Sequence, residues 1–384
     1  MAFSGLSTNA LFTANLEGED ISPLLYALSP YESPFLDWLG DSDGFVAQSP
    51  KHEFIEDFLR PRYIINSTAI NSATAATGIQ VNGLGESLTV GTILENESST
   101  PELMQVTSIA AGGNSILVSR AYDAGTTGSL VAGSQLFVRW PAAEEGHEHA
   151  GLHTRRVGNR RANTVGYFSV EIAATGTAIG TSANQLGNDS YENQRAKVFR
   201  EIPGLLESEV LRGVLNGTNS LGTTTATRTM QGIRTQLTSI NSTVSANSFA
   251  ANPHLYIGNV WDQTYQNGAG TDETWAIVAG RTFFRNIADL NDTKVQDSNE
   301  REVFKRYIRT YTGPFGQATV ILARALPATE LLLVPRERLR VMPLQNRSFQ
   351  YIEMGKSGDN TKGMAVGEYT LELHHQSAMA RLRV

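Results

Sequence analysis

Short runs of alternating apolar and polar residues dominate the chain from about residue 66 to 140: SLTVGTIL, LMQVTSI, SILVSRAY and QLFVRW. Turn-forming stretches separate them, namely Gly83-Leu84-Gly85, Asn96-Glu97-Ser98 and Gly112-Gly113-Asn114. Period-two runs at this spacing predict a small antiparallel barrel or sandwich of about 70 residues, set between two extended segments. A strand is also predicted for YFSVEIAATGTAI, with Phe168, Val170 and Ile172 on one face.

Helical periodicity takes over after Asn188-Asp189-Ser190, which offers an N-cap. In YENQRAKVFREIPGLLESEVLRGVLNG, apolar residues recur at Tyr191, Val198, Phe199, Ile202, Leu205, Leu206, Val210, Leu211, Val214 and Leu215. That spacing predicts a helix of roughly 38 Å. Pro203-Gly204 is expected to kink it or split it in two, and Asn216-Gly217 to end it. The remainder is mixed. TYQNGAGTDETWAIVAGRTFFRNIADLN predicts helix, the buried strand Trp275 to Val278, then helix. VFKRYIRTYTGPFGQATVILARALP predicts two strands about the turn Thr312 to Gly316. TELLLVP, RLRVMPL, SFQYIEMG and EYTLELHHQSAMARLRV predict further strands, with His374 and His375 on opposite faces of the last. The chain carries no fixed-period repeat and no heptads, and the fold class is α+β.

The leading segment has its own character. SPLLYALSPYESPFLDWLG is punctuated by Pro23, Pro30 and Pro34, so short helical turns joined by extended pieces are expected. Its apolar residues, from Leu24 to Leu39, are too many to stay in solvent. Charge sharpens this picture: residues 1 to 50 carry seven acids and no base, whereas the net charge of the whole chain is −7. The remaining residues are therefore formally neutral, and the acidic segment reads as an arm that docks onto something else. A near-neutral body is not built to grip nucleic acid by counterion release. With no basic residue before Lys51, a secretory n-region is not expected. No apolar stretch is long enough to span a bilayer. The absence of cysteine removes disulfides, thiolate metal sites and cysteine nucleophiles together.

The chain's candidate chemistry is concentrated in AAEEGHEHAGLHTRRVGNRR, residues 142 to 161. His147, His149 and His153 with nearby glutamates have the donor types of a zinc, iron or copper site. However, Gly146 and Gly151 argue against a helix, and the zincin spacing fails because Gly151 stands where the second histidine should be. A solvated turn is the favoured reading. Arg155, Arg156, Arg160 and Arg161 suit carboxylates across a subunit contact at least as well as a nucleic-acid groove, with an exposed basic strand flank as the plain alternative. Met354-Gly355-Lys356-Ser357 matches only the end of a P-loop, with Gln350 in place of the required glycine. No G-x-S-x-G elbow occurs, and Glu207 and Glu209 lie on a helix patterned for packing. No catalytic residue, cofactor or metal is assigned.

Several stretches, in their order, resemble the major capsid proteins of tailed bacteriophages, in the branch with an inserted β-domain. They are SPYESPFLDWLGD with KHEFIEDFLRP, AAEEGHEH followed by NRRANTVGYFSVEIAATGTA, ESEVLRGVLNG, RTMQGIRTQL, TYTGPFGQATVIL with LLLVP, and MGKSGDNTKGMAVGEYTLELHHQSA. The resemblance spans nearly the whole chain. It implies a Hong Kong 97-type fold: an N-terminal arm (1–45), an extension loop (46–66 and 151–180), and an inserted β-domain (67–150). A peripheral domain with the spine helix would comprise 181–235 and 301–325, and an axial domain 236–300 and 326–384. The implied function is a structural subunit that self-assembles into pentamers and hexamers of an icosahedral head around double-stranded DNA, in the bacterial host cytoplasm. Implied partners are further copies of the chain, with portal, scaffolding or decoration proteins in addition; no membrane and no sequence-specific DNA binding are implied. Phe35, Trp38, Phe54 and Phe58 are expected to bury area on neighbouring subunits, with Arg155, Arg156, Arg160 and Arg161 setting register. Two alternatives stand beside this: a tail or baseplate protein, and a metal-dependent hydrolase using His147, His149 and His153.

Overall fold

A computed structural model describes residues 32–40, 44–57, 62–70, 76–81, 88–96, 101–122, 127–141, 159–185, 191–216, 227–294, 310–356 and 358–384. The chain divides into two compact units. One comprises 1–50, 164–232 and 341–371; the other comprises 51–163, 233–340 and 372–384.

The first unit is organised by a helix, Tyr191–Arg212, of 22 residues. It buries Ile202, Leu206, Val210 and Leu211 of the predicted apolar set, whereas Phe199, Leu205 and Val214 are exposed. Pro203 sits inside the helix without splitting it. The ring faces solvent, so the carbonyl that loses its intrahelical partner can be hydrated. The neighbouring strand Gly166–Thr175 turns Phe168, Val170 and Ile172 inward and their neighbours outward. It ends four residues earlier than expected, at Thr175, and a helix follows at Gly176–Gln185. The switch is local: the Thr175 hydroxyl accepts the Ala178 N–H at 3.2 Å, in the manner of a helix N-cap. Gly166–Thr175 pairs antiparallel with the long strand Asn360–Leu373 of a four-stranded sheet, in which that strand also neighbours Gln350–Met354 and Leu339–Pro343. At Gly363 a Cβ would lie 1.8 Å from the Tyr351 hydroxyl, so any larger residue would have to displace that ring.

Within the second unit, residues 63–141 form one six-stranded antiparallel sheet. Its strand order is Tyr63–Ile65, Gln135–Pro141, Thr92–Asn96, Glu102–Ile109, Ser115–Ser119, Ala76–Gln80. Burial alternates along Thr92–Asn96 and Ser115–Ser119, and the inward residues (Leu94, Met104, Val106, Ile116, Val118) pack with Ile64, Ile79 and Leu136. The sheet lies close to the 66–140 in which the alternating runs occur. Beneath it lies an ion pair. Arg120 is about 1% and Glu102 0% exposed in their side chains. The Glu102 carboxylate also accepts the N–H groups of Gly128 and Ala121, at 2.8 and 3.1 Å. This ties residues 121 and 128 to the sheet, and leaves neither carboxylate oxygen bare.

The rest of the second unit is built on a mixed six-stranded sheet. Its order is Asn241–Thr243, Ala380–Arg383, Glu330–Pro335, Trp275–Ala279, Gly316–Leu322, Thr310–Gly313. Trp275–Ala279 is buried at every position, as a strand covered on both faces must be. Helices Pro253–Gln266 and Arg281–Lys294 contribute Trp261, Phe283 and Ile287 to its core, where Phe249 and Phe283 stack with centroids 3.9 Å apart. Gly280 follows the strand where a Cβ would meet the Pro327 carbonyl oxygen at 1.8 Å.

Pairing differs from expectation in two places. Residues 310–322 form the anticipated hairpin, but Gly316–Leu322 pairs parallel with Trp275–Ala279, so the hairpin belongs to this sheet and not with the long helix. Conversely, 341–371 joins the unit of the long helix, because its central strand finds its partner in Gly166–Thr175.

Candidate assembly surfaces

In the first unit a short helix, Pro34–Leu39, lies on the long helix. Ser33 makes no side-chain cap, and Pro34 occupies the first turn. The N–H groups of Phe35 and Leu36 would be left over at such a helix start. Both instead donate to one oxygen of Glu207, at 2.8 and 3.2 Å. Glu207 is 1% and Phe35 0% exposed, and the Phe35 ring stacks on Trp38 at 5.9 Å. Burial pushes the Glu207 carboxyl up to about 7, against the two N–H donors that favour the anion, and nearby Asp37 pushes in the same upward direction.

In the second unit, strands Lys51–Glu56 and Asn159–Thr164 pair with each other alone. Alternation puts His52, Phe54 and Glu56 on one face of the first strand and leaves Ile55 68% exposed on the other. Each inward residue meets the end of the chain. His52 Nε2 lies 3.2 Å from Glu372, whose other oxygen is 2.5 Å from His374 Nε2. Phe54 packs edge-on against the His374 ring at 5.1 Å. Glu56 accepts the His375 backbone N–H at 2.7 Å and pairs with Arg161 Nε at 3.0 Å. Burial works against ionisation of Glu372, but the hydrogen bonds from His374 and His52 outweigh it and hold the carboxyl at about 2. Burial lowers the His375 imidazole, opposed by the charge of Glu56.

His374 and His375 do not alternate on a strand as expected. The long strand stops at Leu373, and His375 takes a left-handed conformation (φ 54°) as the chain turns into a short 3-10 helix. That turn aims the His375 backbone N–H at Glu56.

The residues expected at subunit contacts therefore divide. Phe35 and Phe54 are buried inside their own subunit, at 0% and 8% exposure. Trp38 is half-buried. Arg161 is committed to Glu56, whereas Arg160 is 71% exposed and reaches Glu53 at only 3.5 Å. Phe58, Arg155, Arg156 and the histidines 147, 149 and 153 lie outside the described residues. Among the described residues no cluster of three or more His, Asp or Glu could hold a metal. A cavity of about 300 Å³ beside the long helix is lined by Phe168, Ile202, Leu205, Ser208, Glu209 and Arg228, among others, and its lining contains no histidine or lysine. No described helix is long and apolar enough to cross a membrane.

Composition and periodicity did not single out His52, Glu56, Glu372 or the capping role of Glu207. Each carried a signal nonetheless. His52 and Glu56 share the inward parity of Phe54, and Glu207 is an acid between Leu206 and Val210 on an apolar helical stripe.

The sequence profile of the SU10 major capsid protein family matches residues 6–384. The chain belongs to the SU10 major capsid protein family. It is a structural capsid subunit with an α+β fold, in a family of structural proteins and not of enzymes, and its place is the virion capsid. Among solved structures, this capsid subunit is similar to the capsid of Myoviridae phage XM1, at 11% identity, covering 98% of this chain and 99% of that one, with a TM-score of 0.47. It is similar to Gordonia phage Cozz at 12% identity, covering 96% and 91%, with a TM-score of 0.46. Its similarity to the capsid of the native GTA particle is at 9% identity, covering 98% of each chain, with a TM-score of 0.45. No curated protein matches the chain.

Proposed function

We propose that this capsid subunit has a Hong Kong 97-type organisation and assembles into pentamers and hexamers of an icosahedral head enclosing double-stranded DNA. In this reading the unit of the long helix is the peripheral domain, and the mixed sheet around Trp275–Ala279 is the axial domain. The paired strands Lys51–Glu56 and Asn159–Thr164 are the two legs of an extension loop, and the sheet of 63–141 is a domain inserted at its tip. Assembly takes place in the cytoplasm of the host bacterium. Portal, scaffolding or decoration proteins are further partners.

The two-stranded ribbon carries this reading. A two-stranded ribbon has little stability of its own. Here one face is fixed to the C-terminal segment through Glu372 and Glu56, while the other offers Ile55 and Arg160 to solvent. Unpaired edges and an exposed apolar residue are a liability in a monomer and a contact surface in a shell of identical copies. Register is set by Arg160 with Arg155 and Arg156, pairing with carboxylates on neighbours. Trp38 and Phe58 add apolar area, and Phe35, Phe54 and Arg161 act by holding the subunit's own shape.

Charge reversal of Arg155, Arg156 and Arg160 tests the register. Assembly at moderate salt should fail while the purified subunit keeps its melting temperature. Normal shells from the triple variant would overturn it.

A further inference from the structure

We propose that Glu207 positions the N-terminal arm and does so as a protonation-dependent latch, holding the arm helix when neutral and loosening it when ionised. The geometry is that of a cap supplied from outside the helix. Ser33 contributes no side-chain cap, and the Phe35 and Leu36 N–H groups converge on a single Glu207 oxygen. Beside this contact Phe35 is fully buried, so the arm cannot leave without exposing a phenyl ring and stranding two backbone donors. The latch is a property of the subunit and does not depend on the proposed interfaces.

A neutral carboxyl still serves this cap, since its carbonyl oxygen accepts both N–H groups, though each bond is weaker than one to the anion. The anion, however, must be stripped of water. Asp37, on the arm helix, is the charged group that faces it, and it opposes ionisation. Among the described residues Glu207 forms no ion pair that would offset this. Burial is the leading cause of the upward shift to about 7 from 4.5. Because the docked value is the higher one, docking is strongest below pH 4.5 and weakens as pH rises through 7. Between pH 5.5 and 8 the docking equilibrium should fall on the order of tenfold or more.

The test is hydrogen exchange of residues 32–40 in the full-length subunit, expressed as protection factors corrected for intrinsic rates, from pH 5.5 to 8. Wild type should lose protection by at least tenfold across that range. Glu207→Gln keeps an acceptor that cannot ionise, and should give high protection with no slope. Glu207→Ala should be unprotected throughout. Asp37→Asn, which leaves the cap intact, should move the wild-type transition to higher pH-tolerance, with more protection at pH 8. A flat wild-type profile, or a Glu207→Gln profile parallel to wild type, would overturn the proposal.

Discussion

Replacing Glu372 by Gln removes the one charge that gathers His52 and His374, while keeping its shape. The carboxyl, only 10% exposed, is held at about 2 against an ordinary 4.5. A lowered native value stabilises the fold above the unfolded value and gives that stability back as pH falls toward the native one. At about 1.4 kcal/mol per unit, the contribution is about 3 kcal/mol at pH 5 and under about 1 kcal/mol at pH 2.5. Urea unfolding of the dispersed subunit at a series of pH values, wild type against Glu372→Gln, isolates this group from the other acids that titrate in the same range. The gap between the two proteins should be almost fully open by pH 5, stay open above it, and narrow by about 2 kcal/mol on reaching pH 2.5. Parallel curves would refute the argument, because they would mean that the histidines do not hold the carboxylate ionised.

Two further changes probe each half of the second unit. Arg120→Met strands the Glu102 carboxylate beneath the 63–141 sheet and should cost about 3–5 kcal/mol in denaturant midpoint experiments. Glu102→Gln combined with it should recover part of the loss, since the amide oxygen still accepts the Gly128 N–H. Gly280→Ala drives a methyl group into the Pro327 carbonyl and should lower stability by at least about 2 kcal/mol, read by thermal melting.

Local structure was legible wherever one residue's neighbours in sequence decide its environment. Leu94, Ile116 and Val118 announce an inward face by parity, and Leu206, Val210 and Leu211 announce a helical stripe. Trp275–Ala279 announces a strand buried on both faces by having no polar position. What the pattern could not carry was partnership across the chain. Gly316–Leu322 reads equally well as a strand of either unit, and only its pairing with Trp275–Ala279 assigns it. The contacts that build the candidate site span 320 residues between His52 and Glu372, and 319 between Glu56 and His375. No local spacing encodes them. Pro203 does not split its helix: a proline breaks a helix when the freed carbonyl is buried, and this one lies on the exposed face. The same limit applied to the opening arm. Its apolar residues predicted docking, but that Phe35 docks within its own subunit depends on a carboxyl 172 positions away.

The central claim is that this one chain, through its own surfaces, makes a shell. Electron microscopy of the purified full-length protein, expressed without other virion components, tests it most directly. The account predicts closed shells or five- and six-membered rings. A preparation of monodisperse monomers at concentrations where capsid proteins assemble would contradict it.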